Sequence, residues 1–242
     1  MANPIVPASR GFTLVLLAGI LGCASGELLL PDPPGGGENV KLLKMFGDGQ
    51  VGTVGEPLPE RLVVQVLTLR EQPVSGRRVA FVLTTSDGEV TPDTAITNSQ
   101  GQATASWVLG TAPGDYAIEA RLVTGGEEPQ TEEFTAAAYP APPDTLRPLS
   151  PVSQPGRRGQ TVSTPPLVRV VDRYGNPVPD VPVAWQVTAG EGQVDQLISR
   201  TASDGSTSAE WILGDRIGIH KLTATIEQAT VLPATFTATV LF

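Results

Sequence analysis

The chain has 242 residues, with 26 glycines, 23 prolines and a net charge of −9 at neutral pH. That length holds two domains of about 100 residues each, and an acidic chain without a Lys/Arg stripe lacks the cationic contacts on which nucleic-acid binding depends. It also disfavours direct adsorption to anionic lipid headgroups. Cys23 is the single cysteine, so no intramolecular disulfide can form and the domains must be held by burial alone.

Residues 1–22 have the features of an exported leader. Arg10 and the amino terminus give a weakly positive start, and Phe12–Leu21 is an apolar run. Ten helical residues reach about 15 Å, half of a hydrocarbon core of about 30 Å, so the run is too short to span a membrane. Ile20-Leu21-Gly22-Cys23 follows directly. It resembles the bacterial lipobox, with Ile20 where Leu is commonest. The resemblance implies a lipoprotein signal peptide over 1–22 and a lipid attached to Cys23. Cleavage near Ala24-Ser25-Gly26 without lipidation is the alternative. Three acyl chains would be ample for stable anchoring. By the sorting rule of enteric lipoproteins, Ala24 after the cysteine implies the outer membrane. Residues 23–39 carry the breakers Asp32-Pro33-Pro34 and Gly35-Gly36-Gly37 and are expected to form a flexible tether. Extended, it reaches about 55 Å.

A first β domain is expected over residues 40–138. Leu62, Val64 and Val66 alternate, as do Val79, Phe81 and Leu83, and Ala105, Trp107 and Leu109. Tyr116, Ile118 and Ala120 form a further set. Period 2 marks half-buried strands. Ser86-Asp87-Gly88, Asn98–Gly101 and Ala112-Pro113-Gly114 supply turns between them. Residues 139–149 contain four prolines and are expected to be an extended, semi-rigid linker. The second domain completes the span 139–242. Its first hairpin signal, Asp172-Arg173-Tyr174-Gly175-Asn176-Pro177, lies between Val168/Val170 and Val183/Trp185/Val187.

The two domains are copies. A shift of 104 residues aligns 61–122 with 165–226, and 18 of the 62 positions are identical. Pro73-Val74 falls on Pro177-Val178, Gly101 on Gly205 and Trp107-x-Leu109-Gly110 on Trp211-x-Leu213-Gly214. The first copy lacks the Gly-Asn pair of the hairpin, so its turn is expected to differ. Strands at short intervals without helical period predict an all-β chain: two tandem Ig-like Greek-key β-sandwiches after a signal peptide and tether.

The second copy resembles the bacterial immunoglobulin-like domain of the invasin/intimin type. The residues that carry the resemblance are Asp172, Gly175-Asn176-Pro177-Val178, Trp185, Gly192, Thr201, Asp204-Gly205, Ala209-x-Trp211-x-Leu213-Gly214 and Ala224. The first copy matches less closely, with Thr68 for Asp, Phe81 for Trp and Gln100 for Asp. The resemblance implies the fold. It leaves function open, because such modules serve as spacer, stalk and adhesion domain alike.

The chemistry-bearing residues point away from catalysis. His220 is the sole histidine and aligns with Tyr116, which marks a packing position. One histidine gives zinc too few ligands, and no Gly-x-Ser-x-Gly signature accompanies it. Asp87, Asp172, Asp180, Asp195 and Asp204 come singly beside turns, whereas calcium takes six to eight oxygens at one place. Trp107, Trp185 and Trp211 take inward strand phases, which assigns them to the cores rather than to a sugar platform. Arg157-Arg158 is expected in a loop at the start of the second domain. Glu127, Glu128, Glu132 and Glu133 flank Pro129-Gln130-Thr131 in an acidic loop that the second copy lacks. They form the candidate partner-contact loop. No catalytic, metal or cofactor residue is expected.

These features together give a non-enzymatic envelope protein, lipid-anchored through Cys23, acting as a binding or adhesion module or a stalk. Its expected partners are the membrane, through the anchor, and a protein or carbohydrate at the cell surface. A structural subunit of an envelope assembly is the alternative. A carbohydrate-active enzyme built on paired carboxylates is a third class.

Overall fold

The computed structural model describes residues 39–84, 87–124, 129–227 and 231–241. The signal peptide, Cys23, Glu127 and Glu128 lie outside the described residues. Every regular element among the described residues is a strand.

The first sandwich contains β1 (Val40–Phe46), β2 (Gln50–Thr53), β3 (Leu62–Thr68), β4 (Arg78–Leu83), β5 (Gly88–Thr91), β6 (Thr94–Ile96), β7 (Gln102–Leu109), β8 (Gly114–Leu122) and β9 (Thr131–Tyr139). One sheet runs β1-β3-β7-β5 and the facing sheet β2-β9-β8-β4-β6. The second contains β10 (Pro143–Pro148), β11 (Ser153–Gly156), β12 (Leu167–Asp172), β13 (Pro182–Ala189), β14 (Gly192–Val194), β15 (Ile198–Arg200), β16 (Ser206–Ser208), β17 (Trp211–Leu213), β18 (Gly218–Ile226) and β19 (Ala234–Val240). Its five-stranded sheet, β11-β19-β18-β13-β15, repeats the first one strand for strand. In the facing sheet the long β7 is replaced by β16 and β17, paired to β12 and β14.

The sequence phases place the core. In β3, Leu62, Val64 and Val66 are fully buried while the residues between them are not. Trp107, Phe81 and Phe134 fill the first core, and Trp185, Trp211 and Phe236 the second. All three tryptophans are at most 2% exposed, so none is a surface platform. At roughly 2–3 kcal/mol each, large buried side chains of this kind supply the stability that a disulfide would otherwise add.

Three local findings differ from the expectations. Most of the proline-rich linker is a strand: Pro143–Pro148 forms β10, antiparallel to β12, and only 140–142 separate it from β9. Proline is tolerated there because β10 is a sheet edge, where a missing N–H breaks no ladder. The first-copy turn keeps the geometry of the second despite its sequence. Thr68 N–H donates to Gln72 O and Glu71 N–H to Thr68 O, as Asp172 and Gly175 do with Asn176 O and Asp172 O. Thr68 Oγ1 accepts the Gln72 N–H in place of the aspartate oxygen, and Glu71 adopts the positive φ (63°) that Gly175 takes (87°). Finally, Arg157-Arg158 lies at the trailing end of the second sandwich, not the leading one. It follows β11, which runs parallel to β19 and brings Gly156 beside Val240.

Candidate contact surfaces and the joint between the sandwiches

The candidate acidic loop divides in the structure. Glu132 and Glu133 stand on β9 rather than in the loop, with Glu133 on the outer face. Gln130, just before β9, is tied to β1. Its side-chain oxygen accepts the Leu42 N–H (2.8 Å) and its amide bonds the Val40 carbonyl, so it closes the start of β1. Glu133 therefore presents acid from the outer face of the sheet, whereas Glu132 is half-buried on the inward phase that Phe134 shares.

The turn aspartates are each tied by hydrogen bonds, within their own turn or to a neighbouring segment. Asp87 accepts the backbone and hydroxyl of Thr111 and the Gly88 N–H, and those bonds hold its carboxyl below the usual range. Asp204 accepts the hydroxyl and N–H of Ser206, with the same consequence. Asp195 accepts the Glu210 N–H at 2.8 Å, and Asp180 pairs with Arg200 at 3.0 Å. Among the described residues no three His, Cys, Asp or Glu side chains gather as metal ligands. His220 is fully buried: its Nε2–H donates to the Arg216 carbonyl (2.8 Å), as the Tyr116 hydroxyl donates to Ala112 O (2.7 Å). The shared bond to a carbonyl four residues back explains why the two copies accept either residue there.

Among the described residues, sheet edges and sandwich ends are also open to a partner. The edges β6 and β15 expose Ile96, Leu197 and Ile198, each over 60% accessible. Such edges can take an added strand, although three residues give it little length. The other surface is at the sandwich ends, where one contact is already made within the chain.

That contact is the joint, and it uses the hairpin turn after β12. Asp172 is 2% exposed and accepts four hydrogen bonds: from Ala141 N (3.0 Å), Tyr174 N (2.9 Å), Asn176 N (2.8 Å) and Asn176 Nδ2 (2.9 Å). Burial alone would raise its pKa. The bonds from Asn176, Ala141 and Tyr174 outweigh that and hold it below the ordinary value. Asn176 Nδ2 also donates to Thr111 O in the first sandwich (2.8 Å). Arg173 pairs with Glu56 at 2.6 Å and lies over the Tyr174 ring at 4.8 Å. The Tyr174 ring packs on Gly55, where a Cβ would come within 2.0 Å of its hydroxyl. Gly55 takes φ of 72° as well, so a side chain there is excluded twice. Sequence reasoning singled out Asp172 and Gly175-Asn176 as turn formers and missed their second role. The signal was the loss of Asp and Gly-Asn in the first copy, which has no sandwich before it among the described residues.

Comparison with known proteins follows this geometry. Residues 161–240 match the family described as bacterial Ig-like domain (group 1). This chain carries Ig-like domains of the invasin/intimin type. The inverse autotransporter adhesin YeeJ of Escherichia coli (strain K12) is 30% identical over 173 residues, 68% of this chain and 7% of that protein. The chain thus spans a small fraction of the length of that relative. FdeC, an Escherichia coli adhesin, superposes with a TM-score of 0.51 at 17% identity, over 83% of this chain and 64% of that one. InvD of Yersinia pseudotuberculosis gives 0.47 at 19% identity, over 84% and 57%. FdeC shares the all-β plan described above.

Proposed function

We propose that the protein is a non-enzymatic, lipid-anchored adhesion module of the bacterial envelope. Cys23 carries the lipid, residues 24–39 give reach, and the paired sandwiches present contact surfaces. The observation that carries this reading is the joint: the turn that Asp172 holds reaches the first sandwich through Asn176 to Thr111 O, Arg173 to Glu56 and Tyr174 on Gly55. A fixed pair can hold a contact surface away from a membrane. The adhesins among its relatives favour the same use. Partner contacts, to a protein or a carbohydrate, fall on the sheet edges, on the outer face that carries Glu133, or on the sandwich ends. The turn carboxylates, each committed to structural hydrogen bonds, give no support to a hydrolase built on paired acids.

The test is intact mass and membrane partitioning in a bacterial host, wild type beside Cys23→Ser. The expected result is a lipidated mass beginning at Cys23 and loss of membrane association in the variant. An unmodified, freely soluble wild-type product would end the anchored reading and leave a secreted binder.

A further inference from the structure

The internal repeat maps the joint onto the two outer ends of the pair. The turn of the first sandwich, Thr68–Pro73, is equivalent to Asp172–Pro177 and is built by the same backbone bonds. At the trailing end of the second sandwich, Gly159 and Gln160 stand where Gly55 and Glu56 stand in the first. Leu213 N–H bonds Gln160 O as Leu109 N–H bonds Glu56 O, and Gly159 N–H faces Gly214 O as Gly55 N–H faces Gly110 O. Asp215 takes the place of Thr111. The chain therefore exposes one more turn of the kind that docks and one more surface of the kind that receives it.

The substitutions at these ends change together. In the joint, Arg173 pairs with Glu56. At the outer ends both halves are neutral, Leu69 and Gln160, so docking strands no charge. Leu69 is 66% exposed at the turn. Tyr174, which packs on Gly55, is replaced by Arg70. Gly55 is replaced by Gly159, and there the Asp215 carboxylate oxygen stands 3.4 Å from where a Cβ would be. The same docking geometry brings Arg70 onto that carboxylate. Gln72 takes the place of Asn176, and Asp215 that of Thr111, whose carbonyl accepts the Asn176 amide. Beside this end a groove of about 1090 Å³ is lined by Arg157, Arg158 and Leu241, while the first sandwich and its residues 41–138 carry 7 basic and 13 acidic residues.

We propose that copies of this chain associate head to tail, the Thr68–Pro73 turn of one docking on Gly159, Gln160 and Asp215 of the next. Because the two surfaces differ, the contact is heterologous, and it builds open rows or closed rings rather than a symmetric dimer. It lacks the connection 140–142 that supplies an effective concentration in the millimolar range within one chain, so it is weak in dilute solution.

The test is sedimentation of the full chain in density-matched detergent, up to about 1 mM. Wild type is compared with Arg70→Asp, Asp215→Arg and a one-to-one mixture of the two variants. Both positions are exposed, and near-UV circular dichroism checks that the fold is intact. Wild type is expected to self-associate with concentration, and each variant alone to associate about tenfold more weakly, since attraction becomes repulsion. The mixture is expected to recover association, because an unaltered Arg70 then meets an unaltered Asp215. A wild type monomeric throughout, equal association in all samples, or no recovery in the mixture would each overturn the proposal.

Discussion

Replacing Asp172 by alanine removes the acceptor for four donors at once, three of them backbone N–H groups. A hydrogen bond to a charged group contributes roughly 1.5–3 kcal/mol, but removing a buried carboxylate also relieves its desolvation, and water reaches part of the turn. A net loss of about 3 kcal/mol follows for the second sandwich. With a urea slope of about 1.5 kcal/mol/M, the midpoint falls by about 2 M. The assay is urea unfolding followed by tryptophan fluorescence in a Trp107→Phe background, so that only Trp185 and Trp211 of the second sandwich report. Asp172→Thr separates the two roles of the residue. A threonine hydroxyl holds the turn by one bond, as Thr68 does with the Gln72 N–H (3.1 Å), but it cannot also hold Ala141 and Asn176 Nδ2. It should lose about 2 kcal/mol and expose the connection 140–142 to proteolysis. If Asp172→Ala shifts stability by less than about 0.5 kcal/mol, the aspartate does not organise the joint and the reasoning fails.

Glu56→Lys should cost under about 0.5 kcal/mol and lose even that in high salt, because both partners of the Arg173 pair are half exposed; a larger effect in urea unfolding would contradict this. Gly55→Val should open the joint, seen as an increased radius of gyration by small-angle scattering with both cores still folded, since its Cβ overlaps the Tyr174 hydroxyl. His220→Phe should cost about 1 kcal/mol, the bond to Arg216 O, and His220→Ala about 3 kcal/mol through the added cavity; equal losses in thermal melts would show that packing alone sets the site. Asp48, Asp87, Asp172 and Asp204 all titrate below the ordinary value in the folded chain. Their stabilisation is therefore complete above the unfolded value of about 3.9 and is lost as pH falls through the lowered folded values. Melting temperature should thus hold from pH 8 to 5 and drop below about 4, and these four groups would not account for a loss already present at pH 6.

Strand phase was legible because it is local. The alternation of Leu62, Val64 and Val66 encodes burial in neighbouring residues, and the inward phases of the tryptophans were enough to assign both cores. The docking of one sandwich on the other was not legible. Its bonds join residues 31, 65 and 117 positions apart, and no spacing rule relates Ala141 to Asp172, Thr111 to Asn176, or Glu56 to Arg173. The proline-rich stretch misled for a related reason. Its composition favours extended backbone, and whether that backbone stands alone or pairs depends on β12, some 25 residues later. The conserved geometry of the Thr68–Pro73 turn shows the limit of residue identity as a guide. A threonine hydroxyl and a glutamate with positive φ reproduce what an aspartate and a glycine do in the second copy.

The parallel pairing of β2 with β9, and of β11 with β19, sets how the chain answers a pull. In each sandwich an early strand lies alongside the last one and points the same way. Tension applied at opposite ends of a sandwich drives these two strands past each other along their length. The four paired positions in each ladder then share the load and must yield together, rather than opening one after another as in a peeled hairpin. Each sandwich is thereby built to resist stretching along the chain far better than its small size alone would suggest.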